Sequence, residues 1–215
     1  MKNILIAGST GMIGKLILKE ALLDDSISTI TIINRKPIGI THPKLREVIH
    51  TNFMNLDAVK EVFQNQHICY YCVGVYTGQV PTDEFNIITI DYTKVFANTL
   101  KALSPNAAFC FLSGQGADSS EKSKVLFAKA KGIAENYLLS LHFPETYIFR
   151  PGYIYPVEKR KEPNMGYRIF RLLYKPVSII YPNIGLTSHQ LAHKMYQVGK
   201  QGFSKTILEN AEIRA

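Results

Sequence analysis

Residues 3–14 read NILIAGSTGMIG, an apolar run that leads into a loop with glycine at positions 8, 11 and 14. The apolar periodicity of the following residues predicts a helix from Ile13 to Leu23, so the glycines join a strand to a helix. Glycines are needed there because a pyrophosphate must approach the N–H groups of the helix N-terminus, where peptide dipoles favour negative charge and a Cβ would obstruct it. The stretch therefore predicts a dinucleotide-binding loop whose contacts are Gly8, Ser9, Thr10, Gly11, Met12, Ile13 and Gly14.

Strand and helix patterns alternate along the chain beyond this loop. Such alternation, with connections long enough for crossovers, predicts an α/β fold of the Rossmann type, a doubly wound parallel sheet with helices on both faces. The predicted strands are Asn3–Ala7, Thr29–Asn34, Leu45–His50, Ile68–Cys72, Ala108–Ser113 and Glu145–Arg150. The predicted helices are Ile13–Leu23, Asp57–Gln64, Asn86–Leu103, Ser123–Leu141 and Ser188–Val198, the last with a capping box from Thr187 and Gln190.

One domain is predicted for residues 1–215, because the length suffices for a full core and no linker-like tract divides the chain. From about Tyr153 prolines become frequent, and residues 152–215 are predicted to form a small C-terminal cap on the substrate side. The N-terminus does not resemble a secretory signal, so we expect a cytoplasmic location. No apolar stretch approaches the roughly 18–20 residues of a membrane-spanning helix.

The charge of the chain is uneven, with a formal net charge of +8 and a basic stretch near the C-terminus. A solvated basic face is the simplest interpretation, and an acidic substrate, an anionic membrane surface or nucleic acid are alternative partners. Nucleic acid is the least favoured, since no helix-turn-helix, RNP or zinc-finger signature accompanies the charge. The basic stretch comprises Lys159, Arg160, Lys161, Arg168, Arg171 and Lys175.

Two residue pairs have spacings found in metal or redox sites. Cys69 and Cys72 fall in a predicted strand, where residues three apart point to opposite faces, so they and Cys110 are predicted to be reduced structural thiols. His189 and His193 lie four apart on a predicted helix, but no acidic residue stands between them. Structural or surface histidines are therefore favoured over a metal site, and no metal is predicted.

The end of the second predicted strand reads Asn34-Arg35-Lys36, about twenty residues beyond Gly14. An NAD site places an acidic side chain at this position for the ribose hydroxyls. A carboxylate would repel the 2′-phosphate of NADP, whereas a guanidinium binds it through two hydrogen bonds. The predicted cofactor is therefore NADP, with NAD as the alternative, and Asn34, Arg35 and Lys36 are predicted contacts. The simpler interpretation of Arg35 and Lys36 is that they are two solvated charges in a turn.

The glycine loop, Arg35, Ser113, Lys131 and Arg150-Pro151-Gly152 together resemble the short-chain dehydrogenase/reductase superfamily. More narrowly, the chain resembles its atypical branch of Tat-interacting-protein-like NAD(P)-binding oxidoreductases, over nearly its whole length. The resemblance implies that Ser113 is the catalytic serine and that Lys131 holds the nicotinamide ribose. It also implies cofactor contacts from Asn52, Phe53, Cys72, Val73 and Gly74.

The chain departs from the superfamily four residues before Lys131. The superfamily pattern is Tyr-x-x-x-Lys, in which the lysine lowers the pKa of the tyrosine for acid–base work, and this chain has Phe127 instead. Two hypotheses follow. The first is an NADP-dependent reductase of an unidentified small molecule, since hydride transfer belongs to the cofactor. The second is a non-catalytic NADP-binding protein that acts on a protein partner. Candidate substitute proton donors for the first are Tyr76, Tyr92 and Tyr153, and ordinary packing is the favoured interpretation of each.

Overall fold

A parallel sheet is the framework of the molecule in a computed structural model that describes residues 1–158, Tyr174 and residues 182–215. Its strands are β1 Lys2–Ala7, β2 Ile27–Asn34, β3 Leu45–Ile49, β4 Ile68–Tyr71, β5 Ala108–Leu112, β6 Thr146–Arg150 and β9 Ile207–Glu209. They are ordered β3-β2-β1-β4-β5-β6-β9, and each strand runs parallel to its neighbours. The order reverses between β1 and β4, which confirms the predicted doubly wound topology.

Helices cover both faces of the sheet, as predicted. They are α1 Met12–Leu22, α2 Thr82–Asn86, α3 Tyr92–Leu103, α4 Leu126–Ser140, α5 Ser188–Gln201 and α6 Asn210–Arg214. One face carries α1 and α5, and the other carries α3 and α4. Two predicted helices differ in detail: Asp57–Phe63 is a 3₁₀ helix, and a π segment at Ile87–Asp91 separates α2 from α3.

The interior strand β1 is apolar from Ile4 to Ala7, because helices cover this part of it on both sides. Ile4 and Ile6 pack into one layer, Leu5 packs into the other, and all three are fully buried. The same alternation separates Cys69 from Cys72, which pack against opposite layers as predicted. The cysteines are free thiols.

The C-terminal segment contributes more to the core than the sequence predicts. The strand β9 extends the main sheet beyond β6, and α5 packs beside α1 with its Tyr196 carbonyl accepting a 2.8 Å hydrogen bond from Tyr70 Oη. A second sheet pairs β7 Tyr153–Tyr155 with β8 Gly185–Thr187. These three-residue strands are too short to show a periodicity in the sequence. The predicted basic stretch, from Lys159 to Lys175, lies outside the described residues.

The capping box of α5 has the predicted form. The N–H of Gln190 donates to Thr187 Oγ1 at 3.2 Å, and the N–H of Thr187 donates to Gln190 Oε1 at 2.9 Å. We expect Thr187→Ala to destabilise the protein by about 1 kcal/mol, because one helix N–H loses its acceptor. Thermal unfolding should show a drop of roughly 2–4 °C for a chain of this length. Thr187→Ser keeps the hydroxyl and is the matched control; equal melting temperatures for the two variants would contradict the assignment.

Candidate functional site

The glycine loop turns tightly over the carboxyl end of β1. Gly8 has a φ of +82°, and a Cβ on it would lie 2.7 Å from the Cys72 carbonyl oxygen. A Cβ on Gly14 would overlap the carbonyl of Gly8, whose oxygen accepts a 3.0 Å hydrogen bond from the N–H of Gly11. Larger residues at these two glycines would force the loop away from β4 and from α1.

The loop leaves the N-terminus of α1 open to a ligand. Gly11 is the N-cap residue and has no side chain to accept hydrogen bonds from the first-turn N–H groups, and no acidic residue lies in that turn. Gly11, Met12 and Ile13 line a cavity there, while Thr10 is exposed and Ser9 is buried. Uncapped N–H groups at the positive end of a helix dipole suit a pyrophosphate, so the loop fits the predicted cofactor.

The predicted specificity residues lie at the carboxyl end of β2. Asn34 is buried, and its Oδ1 accepts a 2.8 Å hydrogen bond from Ser9 Oγ. Its Nδ2 donates to Glu47 Oε1 at 3.1 Å, and the same oxygen accepts from the N–H of Ile38 at 3.0 Å. Arg35 and Lys36 lie between these anchors and are exposed. The turn that presents the two cations is therefore fixed at both ends.

Glu47 is a residue that sequence reasoning missed. It lies on β3, in register with Ile32 of β2, and so reaches the position beside Asn34 from a neighbouring strand. The rule that distinguishes NAD from NADP sites considers only the residues at the end of β2. The register of β3 against β2 cannot be read from those residues. The one sign of it in the sequence was an acidic residue, Glu47, near the start of the next predicted strand, Leu45–His50.

The predicted adenine contacts, Asn52 and Phe53, follow β3. Phe53 is 4% exposed and its ring stacks on Tyr92 with centroids 5.6 Å apart, so this side chain belongs to the core. Asn52 is exposed, and its Oδ1 accepts a 3.1 Å hydrogen bond from the N–H of Met54. Tyr92, one of the predicted substitute proton donors, therefore packs against the core through its contact with Phe53.

A cavity of about 980 Å³ opens at the carboxyl ends of β1, β4, β5 and β6. It lies at the crevice where the strand order reverses, which is where open α/β sheets bind ligands. Its walls bring together distant parts of the chain: the start of α1, the segments after β4 and β5, α4 and β7. The predicted site residues in these walls are Gly11, Met12, Ile13, Cys72, Val73, Gly74, Ser113 and Lys131.

Lys131 lines this cavity from α4 and is 8% exposed. Its Nζ donates to the Leu112 carbonyl at 3.0 Å and lies 4.7 Å from the centroid of the Phe111 ring. Burial lowers the pKa of this ammonium to about 8, against the opposing charge of Glu135. Lys131 therefore releases a proton far more readily than a surface lysine does.

Ser113 is hydrogen-bonded to a buried ion pair. Its Oγ donates to the carboxylate of Glu135, which is fully buried and is paired with the guanidinium of Arg150. Arg150 also donates to Glu209 at 3.1 Å and to Ser119 Oγ at 2.8 Å, and the contact with Glu135 raises the pKa of Arg150. A hydroxyl has a single proton, so Ser113 donates it to Glu135 and can only accept a further hydrogen bond.

Phe127 occupies the cavity wall one helical turn before Lys131. The ring tip lies 2.6 Å from the position that a Cβ on Gly114 would take, so this glycine makes room for the ring. The ring carries no proton donor. Tyr76 and Tyr153, the other predicted substitute donors, also line the cavity. Cys72 is a further lining residue, and burial raises the pKa of its thiol to about 12.

The histidine pair of α5, His189 and His193, does not line this cavity. His193 Nδ1 lies 3.0 Å from Glu20 Oε2, and within residues 1–158, 174 and 182–215 no three potential metal ligands come together. None of the helices in that part of the chain is long and apolar enough to span a membrane.

Sequence comparison relates the chain to two groups of curated proteins. It is 31% identical to rat Protein HTATIP2 over 153 residues, which cover 70% of this chain and 62% of the rat protein. The chain thus spans less than two thirds of that relative. It is 26% identical over 167 residues to the mitochondrial Protein FMP52 of Debaryomyces hansenii, covering 77% of this chain and 72% of the yeast protein. No protein-family model matches.

Structural comparison gives the same fold at low sequence identity. The Bordetella bronchiseptica enzyme WbmF, solved with NAD+, has a TM-score of 0.70 and 12% identity, covering 99% of this chain and 76% of WbmF. A short-chain dehydrogenase family protein from Francisella tularensis has a TM-score of 0.68 and 11% identity, covering all of both chains. These relatives and structural neighbours support the predicted resemblance to the atypical, Tat-interacting-protein-like branch of the short-chain dehydrogenase/reductase superfamily.

The predicted cytoplasmic location is wrong by the same comparison. Yeast relatives from several species are named mitochondrial FMP52 proteins. Receptors read short sorting addresses independently of the fold. The lack of a recognisable secretory signal therefore argued only against secretion, and it did not distinguish the cytoplasm from an organelle such as the mitochondrion.

The buried ammonium of Lys131 has a measurable cost to stability. Its pKa of about 8 in the folded protein lies below its ordinary value of 10.5, so the unfolded chain binds more protons between these pH values. Below pH 8 the charged form opposes folding, and this cost disappears as the pH rises to 10.5. We expect Lys131→Met to raise the melting temperature at pH 7, and the gain to vanish at high pH. Lys129→Met, exposed on the same helix, is the control; a variant less stable at both pH values would contradict the assignment.

Proposed function

We propose that the chain binds a nicotinamide dinucleotide in the crevice between β1 and β4. The observation that carries this proposal is the uncapped N-terminus of α1 beneath the glycine turn, with Gly11, Met12 and Ile13 facing the cavity. The bound NAD+ of WbmF, a structural neighbour of the same fold, supports it. Cys72, Val73 and Gly74 line the cavity after β4 and would contact the inner ribose, and Lys131 lines it from α4 and would hold the nicotinamide ribose.

We propose NADP(H) as the preferred form, with NAD(H) as the alternative. Asn34 is committed to Ser9 and Glu47, so it fixes the turn and leaves Arg35 and Lys36 to meet the ribose. Both cations are exposed, and a guanidinium matches the geometry of a 2′-phosphate. Glu47 has a carboxylate near the same position, but one of its oxygens already accepts from Asn34 and Ile38.

The function proposed for the site is reduction of a small carbonyl compound or quinone. The cofactor supplies the hydride, and the chain positions the acceptor and excludes water. The cavity continues past the predicted nicotinamide end to Tyr76, Gln115 and Tyr153, which offer polar groups and aromatic surface to a substrate. A mitochondrial location is proposed from the yeast relatives.

A second function is favoured by one observation, the phenylalanine at position 127. Loss of the superfamily's proton donor beside an intact cofactor loop is expected of a protein that binds NADP without turning it over. Such a protein would use cofactor occupancy to change its affinity for a protein partner. The cavity, Lys131 and Ser113 are common to both functions, so turnover separates them.

Calorimetry tests the cofactor preference. We expect the unmutated protein to bind NADPH more tightly than NADH, and Arg35→Ala to weaken NADPH by about tenfold or more while leaving NADH nearly unchanged. The reason is that a hydrogen bond to a charged group contributes roughly 1.5–3 kcal/mol. Lys60→Ala, exposed on the 3₁₀ helix, is the control. Equal affinity of the unmutated protein for the two cofactors would overturn the NADP preference.

Restoring the missing hydroxyl separates the two functions. We expect Phe127→Tyr to increase NADPH-dependent reduction of simple aldehydes by about 100-fold or more, since a positioned general acid contributes 10²–10⁴-fold. Tyr137→Phe, on the same helix but hydrogen-bonded to Asn98, is the control and should leave the rate unchanged. If the unmutated protein and Phe127→Tyr both bind NADPH normally and neither reduces an aldehyde, the non-catalytic function is supported instead.

A further inference from the structure

The groups around the nicotinamide end of the cavity differ in whether they can give up a proton. Phe127 has none to give, and Ser113 donates its single hydroxyl proton to Glu135. Burial raises the pKa of the Cys72 thiol to about 12, so this group holds its proton at neutral pH. Lys131 lines the same wall as an ammonium, which has three protons.

The geometry leaves the Lys131 ammonium available to a ligand. Among the described residues, one of its protons is directed to the Leu112 carbonyl at 3.0 Å, and the ring of Phe111 lies against the same group. The amine is therefore anchored in the cavity wall while it retains protons for a substrate oxygen. Its position one helical turn after Phe127 places it beside the ring that replaces the superfamily's tyrosine.

We propose that Lys131 is itself the proton donor of this site, a role that rests on the reductase function proposed above. When bound, the reduced cofactor would supply the hydride for the new C–H bond at the carbonyl carbon. The electron pair of the C=O double bond that moves onto oxygen takes a proton from Nζ. The O–H bond forms, the N–H bond breaks, and a neutral amine remains, which solvent reprotonates before the next turnover.

The charged neighbours of Lys131 suit it to this role. Burial lowers the pKa of the ammonium to about 8, and the carboxylate of Glu135, four residues later on α4, acts in the opposite direction. Glu135 is itself neutralised by Arg150 from the end of β6. A donor is most effective when its pKa lies near the working pH, and this ammonium is still mainly charged at pH 7.

Tyr76 and Tyr153 are the competing donors, because both line the same cavity. They line the cavity from the segments that follow β4 and β6, and aromatic side chains with a hydroxyl suit contacts with a substrate. If either tyrosine were the donor, its replacement by phenylalanine would remove the activity. If Lys131 is the donor, Tyr76→Phe and Tyr153→Phe change KM more than kcat.

The kinetic test uses NADPH with nitrobenzaldehyde and phenanthrenequinone as probes. We expect kcat/KM to fall about tenfold for each pH unit above pH 8. Lys131→Arg keeps a charge that can hold a ribose but cannot release a proton at neutral pH. It should therefore lose about 100-fold or more in kcat while its NADPH affinity stays close to that of the unmutated protein. An arginine variant that keeps both kcat and affinity would overturn the proposal.

A second measurement does not depend on turnover or on cofactor. NMR titration of the unmutated protein with isotopically labelled lysine should show one resonance that titrates near pH 8, and this resonance should be absent from Lys131→Met. If the resonance that disappears in Lys131→Met titrates near pH 10.5 instead, the proposal is overturned, because the ammonium then holds its proton as a surface lysine does. This test remains valid even if the arginine variant does not fold.

The outcomes separate this proposal from the function on which it rests. A protein that binds neither NADPH nor NADH overturns both. A protein that binds NADPH but reduces neither probe at any pH overturns the role of Lys131 and leaves cofactor binding standing. Reduction that survives in Lys131→Met but is lost in Tyr153→Phe assigns the proton to the tyrosine and keeps the reductase function.

Discussion

The ion pair between Glu135 and Arg150 holds together the parts of the chain that form the site. Glu135 is fully buried, and a carboxylate without a partner in that position would cost several kcal/mol. Arg150 supplies the partner from the end of β6 and extends the contact to Glu209 at the end of β9. Ser113, at the end of β5, donates to the same carboxylate. One buried charge thus fixes two neighbouring strand ends and α4 in a single arrangement.

This arrangement determines what the side chains of the superfamily pattern can do here. Because Ser113 is a donor to Glu135, its oxygen faces other groups only as an acceptor. Lys131 lies one turn before Glu135 on α4, so the helix that secures the ion pair also fixes the ammonium in the cavity wall. The polar groups are therefore preorganised, although the residue that usually carries the acid is a phenylalanine. Preorganisation of this kind is what positioning of a reaction between cofactor and substrate requires.

The cofactor end of the site depends on backbone geometry instead of charge. The close approach of Gly8 to the carbonyl of Cys72 brings the loop against β4, and Gly14 lets α1 begin directly above it. Asn34 then connects this loop to β3 through Ser9 and Glu47, so the turn that carries Arg35 is supported from both neighbouring strands. The loop, the start of α1 and the turn after β2 are consequently held in one arrangement, which is the surface proposed to bind a dinucleotide.

The sequence by itself determined six strands of the sheet, their doubly wound parallel arrangement and the glycine loop, because these depend on local signals: apolar strands, helical periodicity and glycines where a Cβ would clash. It also determined the capping box of α5, which lies within four residues. Only the tertiary structure revealed β9, the acid Glu47 beside Asn34, and Glu135 beneath Ser113. These contacts join positions distant in the chain, such as Ser113 and Glu135 or Arg150 and Glu209. Their partners are chosen by strand register and by helix rotation, which no local pattern specifies.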